Sequence, residues 1–316
     1  MTLAFEAGEV NRTSATGVPA SIVIPSHNRP ALLAEAVASA LRECPERGEV
    51  IVVDDGSTRP AAEVLAGVSD RRLRLLRHEV ARGAGAARNA GVAEAAADLV
   101  FFLDDDDLFV EGYLQATIAA VRAAPAAGFG FAAAPDEDRG DDGWADAGFR
   151  LLSGRAPLRR RVAATSRGVW VRRAAFAAVG GFDPAQIVDE DTDLCVRLVA
   201  AGYRALVADR PGTRVRIDHS PAGSASAQLT RSTAPRKVVA CYRRTHDKSA
   251  ARFAALGGGR WFLATRYIRR AVKGGFAAEA RQFAATQRPA VLAPALLAYW
   301  RLKALRDAGK ARAPGQ

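Results

Sequence analysis

Apolar residues along this 316-residue chain follow two patterns that take turns. Short unbroken runs, "IVI" at 22–24, "VIVV" at 50–53 and "LVFFL" at 99–103, have no polar face. Between them, apolar residues recur every three or four positions. In "RPALLAEAVASALREC", Leu33, Val37 and Leu41 share one helical face, and Pro30 suits the first turn. "RLRLLRHE" alternates like a strand. "GAGAARNAGVAEAA" and "EGYLQATIAAVRAAP" read as helices, and "ATSRGVWVRRAAFAAVGGFDP" as a strand, a short helix and a Gly-Gly stop. "DEDTDLCVRLVAAGYRA" reads as a helix with acids in its first turn and Gly202 at its end. A strand near 205–208 and another at "RVRI", followed by a small-residue loop, come next. Residues from about 233 to 308 are helical in pattern, with Arg on the polar faces. The acidic, glycine-containing segment 135–148 is predicted as a loop or lid.

Strands apolar on both faces, alternating with helices, specify a mainly parallel sheet covered on both sides, an α/β fold. Ligands of such sheets sit beyond the carboxyl ends of the strands. That rule brings Pro25–Arg29, Asp54–Ser57 and Asp104–Asp107 to one edge.

Charge is distributed unevenly. The chain carries 45 Lys and Arg against 34 Asp and Glu, a net +11. Residues 230–316 hold 19 of those cations and 3 of the acids, a local +16, so residues 1–229 carry −5. Such a region suits an anionic partner or is simply a solvated Arg-rich surface. Arg269, Arg270 and Lys273 near Trp261, Phe262 and Tyr267 fit either an interfacial helix or a packed helix with a basic outer face. Cys44, Cys195 and Cys241 are widely spaced, which suggests neither a zinc site nor a disulfide framework, and a reducing compartment. Residues 1–19 read as a flexible leader without the features of a signal peptide. "PAVLAPALLAYW" is too short to span a bilayer and contains two prolines. The expected location is cytoplasmic, with peripheral contact at the inner face of a membrane through the basic region as an option.

The quartet Asp104–Asp107, directly after "FFL", calls for a chemical explanation. Two carboxylates about 4 Å apart repel by roughly 4 kcal/mol at an effective dielectric of 20. Protonation, cationic side chains or a divalent metal relieves that repulsion, and oxygen-only ligands favour Mg²⁺ or Mn²⁺. Capping of a helix start is the simpler alternative. Asp54 and Asp55 either accept hydrogen bonds from a base or ribose, or form the "DDGS" turn. "GAGAARNAG" lacks the third glycine of a dinucleotide fingerprint, and neither a P-loop nor a GxSxG elbow occurs.

Taken in order, "SIVIPSHNRP", "VIVVDDGST", "GAGAARNAG", "FFLDDDD" and "GGFDP…DEDTDLCVRL" resemble the inverting family 2 glycosyltransferases of GT-A fold, over roughly residues 20–220. The resemblance implies a GT-A domain at 20–229, a Rossmann-like nucleotide-binding sheet flanked by helices. Its nucleotide-sugar half would cover about 20–110 and its acceptor half about 111–229, with 230–316 a basic helical C-terminal region. It implies metal-dependent transfer of one sugar from a nucleoside-diphosphate sugar, most often UDP-linked, to a hydroxyl of a glycan, lipid-linked or small-molecule acceptor. Pro25, His27, Asn28 and Arg29 match the loop that lines the nucleotide, with His27 where Tyr is frequent. Asp55, or else Asp54, matches the acid that reads uracil. Arg88 matches a position near the nucleotide, and Arg82 is within reach of the same site. Asp104-Asp105-Asp106 matches the DXD motif, its first part meeting ribose and Asp106 holding Mn²⁺ or Mg²⁺. Glu190-Asp191 matches the "ED" motif, with Asp191 as general base and Glu190 second choice. His219 is either a late metal ligand or structural. "GGGRW" at 257–261 has Gly where processive members carry Gln, which favours single transfer. Two rivals remain at this level. A sugar nucleotidyltransferase would want a glycine-rich loop after the first strand, which "PSHNRP" lacks. A non-catalytic module holding anionic lipid or nucleic acid on 230–316 would leave the front motifs without purpose, so no nucleic-acid partner is expected.

Overall fold

The computed structural model describes residues 19–134, 147–152, 154, 156–216, 233–256, 259–287 and 298. Strands β1 (Ser21–Ser26), β2 (Glu49–Asp55), β3 (Leu73–His78) and β4 (Leu99–Phe102) lie parallel in the order β3-β2-β1-β4. Helices α1 (Pro30–Glu43) and α3 (Ala84–Glu94) run between them, with the single turn α2 (Ala61–Val64) before β3. The unbroken apolar runs have a simple cause. Ile22, Ile24, Val50, Val52 and Phe101 pack on one face with α1 and α4 (Tyr113–Ala123). Val23, Ile51, Val53, Val100 and Phe102 pack on the other with α3, α5 (Arg173–Ala178) and α6 (Glu190–Ala200). The glycines of "GAGAARNAG" serve this packing. A Cβ at Gly91 would lie 2.4 Å from Val23 Cγ1, so α3 approaches β1 as closely as it does only with glycine there.

β1 runs two residues beyond the apolar run that stops at Ile24, through Pro25, which pairs in register with Val53. The Val23 carbonyl accepts the Leu103 N–H at 3.1 Å, so Pro25, of the same parity, turns its missing donor toward β4, where that strand has ended. The far half of the sheet is mixed. β8 (Trp170–Arg172) is antiparallel to both β4 and β6 (Ala127–Ala133), β9 (Arg204–Pro211) is parallel to β6, and β7 (Phe149–Leu151) closes the edge. β5 (Asp107–Phe109) leaves the main sheet and pairs antiparallel with β10 (Thr213–Val215).

Three further helices, α7 (Pro235–Leu256), α8 (Gly259–Lys273) and α9 (Ala277–Thr286), share a core of Val238, Val239, Tyr242, Ala264, Ile268 and Phe283, which Val188 from the front of α6 joins. Ion pairs tie them to the body. Arg244 and Lys248 reach Asp183 at 2.6 and 2.7 Å, Lys248 reaches Asp193 at 2.8 Å, and Arg266 reaches Asp189. Part of the positive charge of 230–316 is therefore matched inside the molecule. Tyr267 is buried, its ring 4.5 Å from that of Phe283, while Arg269 and Lys273 are exposed. Among the described residues no helix is long and apolar enough to cross a membrane. Most of the predicted leader, most of the acidic loop, His219 and the apolar run near 289–300 lie outside the described residues.

Candidate active site

The carboxyl ends of β1, β2 and β4 open into a cleft of about 640 Å³. Pro25, His27, Arg29, Asp55, Arg88, Asp104, Asp105, Asp106, Glu190 and Asp191 all line it, although they span 167 positions of sequence. Asn28, Asp54 and Arg82 do not line it.

At the end of β2 the two acids divide the work. Asp54 accepts the backbone N–H groups of Ser57 and Ala61, both at 2.9 Å, and pairs with Arg77. Burial opposes its ionisation, but those donors outweigh burial and hold its pKa below the usual range. Asp54 thus builds the turn. Asp55 faces the cleft and accepts the N–H groups of Arg82 at 2.9 Å and Gly83 at 2.7 Å, with His78 Nδ1 donating at 2.7 Å. Arg82 contributes its backbone here; its side chain is exposed. His27 donates Nδ1–H to the Asp55 carbonyl at 2.7 Å and accepts Asn28 Nδ2–H at Nε2 at 2.9 Å, the neutral tautomer. Asn28, at φ +57°, takes up Ser57 Oγ and the Thr58 N–H, stitching the loops after β1 and β2 together.

The acid quartet splits into two faces. Asp105 turns toward Ser26 Oγ at 2.8 Å and Arg29 at 3.0 Å. Asp104, Asp106 and Asp107 bring one oxygen each within 4.8 Å of one another. Burial, then the neighbouring carboxylates, pushes Asp106 up to about 6 and Asp107 up to about 9. Arg29 offsets part of that strain through a 2.8 Å bond to Asp106. Three hard oxygens this close together fit a divalent cation such as Mn²⁺ or Mg²⁺, whose charge would favour the ionised carboxylates. Arg216, just past β10, holds the turn from behind by donating to the carbonyls of Asp106 at 3.0 Å and Asp105 at 3.2 Å.

Arg88 joins this cluster to the start of α6. Its Nη2 reaches Asp104 at 2.6 Å and its Nη1 reaches Glu190 at 2.7 Å, and its guanidinium lies over the Phe182 ring. Burial alone would disfavour this cation, but the two carboxylates outweigh burial and raise its pKa. Next to it, Asn89 clamps the backbone of Phe182 in both directions, at 2.9 and 2.8 Å. The segments "ARN" and "GGF…ED", about a hundred residues apart, are thus one unit. The resemblance puts Arg88 near the nucleotide; in the structure both of its terminal nitrogens are engaged by carboxylates. Replacing Arg88 with Ala strands two half-buried acids, and an expected loss of about 3 kcal/mol follows, read as a lower midpoint in urea unfolding. Arg88→Lys, unable to span both acids, recovers less than half. A midpoint unchanged in Arg88→Ala would remove the clamp.

At the head of α6, Asp189 sits in the left-handed region at φ +61° and pairs with Arg266. Asp191 accepts the Thr165 N–H at 2.9 Å and its neighbour's N–H, from Thr192, at 2.6 Å. Burial, then Glu190 and Asp189, raises Asp191 to about 7, the range of a group that exchanges protons at neutral pH. Glu190, bound to Arg88, is less available. Thr165, in a single 3₁₀ turn at Thr165–Arg167, also donates its hydroxyl to Asp104 at 2.8 Å. One residue therefore touches the acid cluster with its hydroxyl and Asp191 with its backbone N–H. Val188, Tyr242 and Arg270 complete the wall beside α6. Thr165, Tyr242 and Arg270 carry no signal of this role in the sequence, because only packing brings them here. Asp107 was legible as part of the quartet.

The family model of "Glycosyl transferase family 2" matches residues 21–178. Among curated proteins, a succinoglycan biosynthesis protein, ExoU, of Rhizobium meliloti is 43% identical over 104 residues, 32% of this chain and 30% of that one. WfgD of Escherichia coli, a UDP-Glc:α-D-GlcNAc-diphosphoundecaprenol β-1,3-glucosyltransferase, is 33% identical over 98 residues, 31% of this chain and 39% of that one. The matched part spans about a third of the length of these relatives. S. aureus TarS, solved with UDP-GlcNAc, has a TM-score of 0.63 at 18% identity, covering 91% of this chain and 88% of that one. The Pyrobaculum calidifontis mannosyltransferase PcManGT, solved with GDP-Man and Mn²⁺, has a TM-score of 0.56 at 20% identity, over 91% and 80%. Both likenesses concern the fold.

Proposed function

The chain belongs to glycosyl transferase family 2, and from that premise we propose a metal-dependent, inverting transfer of one sugar from a UDP-linked donor to an acceptor hydroxyl. The observation that carries this reading is the double hydrogen bond of Thr165, to Asp104 at 2.8 Å and to Asp191 at 2.9 Å. It couples the acids suited to a donor diphosphate with the acid suited to an acceptor hydroxyl. In this reading the base of the donor rests against His27 and Asp55, and its ribose and diphosphate extend toward Asp104 and Asp106. The acceptor hydroxyl approaches Asp191 and gives up its proton to that carboxylate as its oxygen bonds to the anomeric carbon. The bond from that carbon to the diphosphate breaks on the opposite side, which inverts the anomeric centre. Asp104, Asp106 and Asp107 would hold a divalent cation, which when bound neutralises charge on the departing diphosphate. Arg88 acts by positioning Asp104 and Glu190.

The choice of UDP is supported by the donors named for WfgD and in the TarS complex; PcManGT, with GDP-Man, shows that the same fold accommodates another base. The acceptor named for WfgD is a lipid-linked sugar diphosphate, one of the acceptor classes expected here. A thermal-shift screen of UDP- and GDP-sugars, each with and without Mn²⁺, tests the reading. A ligand at a hundred times its Kd stabilises by about 2.7 kcal/mol. The expected result is a rise in Tm with a UDP-sugar and Mn²⁺ together. A response to GDP-sugars instead would reassign the donor, and silence across the whole set would overturn the proposal.

A further inference from the structure

The wall supplied by α7 and α8 contains a cation of a different kind from the rest of the cleft. Arg29 is matched by Asp105 and Asp106, Arg88 by Asp104 and Glu190, and Arg266 by Asp189. Arg270 also lines the cleft, half-buried, but among the described residues no carboxylate pairs with it. Its guanidinium carbon stands 5.0 Å from the centre of the Tyr242 ring. Such a contact leaves the positive charge unneutralised. One N–H of that guanidinium serves the Tyr242 hydroxyl, and the others are left for the bidentate contacts that phosphate oxygens accept.

The place of this cation in the cleft separates it from the donor's phosphates. Tyr242 is stacked by Arg266 at 5.1 Å, Arg266 holds Asp189, and Asp189 is two residues from Asp191. Arg270 therefore belongs to the end of the cleft beside the acid suited to the acceptor hydroxyl. The acid cluster and Arg29, suited to the donor diphosphate, arise from β1 and β4. A second observation marks this end as a ligand site. Asp189 Oδ2 is buried and without a hydrogen-bond partner, an acceptor positioned for a hydroxyl. An arginine for phosphate and a carboxylate oxygen for a hydroxyl together describe a phosphorylated sugar.

We propose that Arg270, stacked on Tyr242, forms an acceptor subsite that recognises a phosphate group carried by the acceptor sugar. The inference rests on the glycosyltransferase reading and names the acceptor class within it. Two sources share this chemistry, a free sugar 1-phosphate and a lipid-linked sugar phosphate.

The test uses the full chain saturated with Mn²⁺ and UDP, titrated with a panel of hexose and N-acetylhexosamine 1-phosphates, their methyl glycosides, and the decyl phosphodiesters of the same sugars. Ligand-observed NMR reads the affinities. The expected result is that at least one sugar 1-phosphate binds about tenfold or more tighter than its methyl glycoside. Arg270→Gln abolishes that preference and Arg270→Lys restores part of it, while UDP affinity stays within about twofold and melting shows each variant folded. Tighter binding of the decyl diesters identifies the lipid-linked source; equal binding identifies the soluble one. Three results would overturn the proposal: no preference for phosphate in the unmodified protein, a preference that survives Arg270→Gln, or a loss of UDP affinity in that variant, which would make Arg270 a donor residue. Failure of UDP to bind with Mn²⁺ at the outset would instead bring down the donor reading on which the inference rests.

Discussion

Asp191→Asn is expected to lower the rate of sugar transfer by about a thousandfold while leaving donor affinity unchanged. Removal of a general base typically costs a factor of 10² to 10⁴, and about a thousandfold corresponds to roughly 4 kcal/mol in the barrier. Two properties of Asp191 support the size of the effect. Burial and two acidic neighbours hold its pKa up to about 7, so it is both ionised enough and basic enough to take a hydroxyl proton. Its contacts to Thr165 and Thr192 fix its orientation. The pH dependence carries a definite sign. A base must be deprotonated, so kcat/KM falls below about pH 7, approaching tenfold per unit. Stability runs the other way. A carboxyl whose folded pKa lies above its unfolded value stabilises the fold fully below that unfolded value, and the contribution is lost as pH rises through about 7. Asn is spared that loss but gives up one of two backbone acceptor contacts. The variant should therefore melt within about 4 °C of the parent at pH 8, a shift on the scale of 1 kcal/mol. Steady-state transfer assays, a UDP titration and a melting curve together check the result. Transfer above a tenth of the original rate would move the base elsewhere, first to Glu190.

Asp106→Asn carries the second large effect. In the unmodified protein UDP is expected to bind much more tightly with Mn²⁺ than after treatment with a chelator. In the variant that dependence should vanish, with UDP affinity in Mn²⁺ reduced by about a hundredfold, since even partners one step removed from a metal cost 10–100-fold when lost. The reason lies in the triangle of Asp104, Asp106 and Asp107, where burial, then mutual repulsion, raises the pKa values of Asp106 and Asp107 and a bound cation would favour their ionised forms. Arg29 holds the same side chain of Asp106 at 2.8 Å, so an entering cation meets a competitor there. Arg29→Gln separates the two influences. It removes the competitor without removing a ligand, and Mn²⁺-dependent binding should persist in it. Calorimetry of UDP with and without Mn²⁺ measures all three proteins. Equal UDP binding by the parent with Mn²⁺ and with a chelator would remove the metal from the site.

Much of the candidate site is legible in the sequence, for a specific reason. Strands buried on both faces announce themselves as unbroken apolar runs, and the polar residues that end such runs must gather at one edge. His27, Asp55 and Asp104–Asp106 were found this way, and they line the cleft. The sequence also marked Glu190-Asp191 as acids opening a helix, which matches α6. Less legible was the division of labour between neighbours. Asp54 and Asp55 are adjacent and chemically identical, yet strand alternation points one into the turn and one into the cleft. Asp105 and Asp106 share Arg29, yet only Asp105 takes the Ser26 hydroxyl and only Asp106 joins the cluster with Asp104 and Asp107.

By itself the sequence determined the parallel half of the sheet, the edge at which ligands gather, and the acids available there, because each of these follows from local periodicity and residue type. Tertiary structure alone decided which partners those residues keep. Arg88 became a clamp because α3 lies between the turn after β4 and the head of α6. The basic C-terminal helices became a wall of the cleft because Val188 and three acids near α6 meet their apolar and cationic faces. Contacts between residues distant along the chain depend on how layers pack, and no short stretch of sequence encodes that.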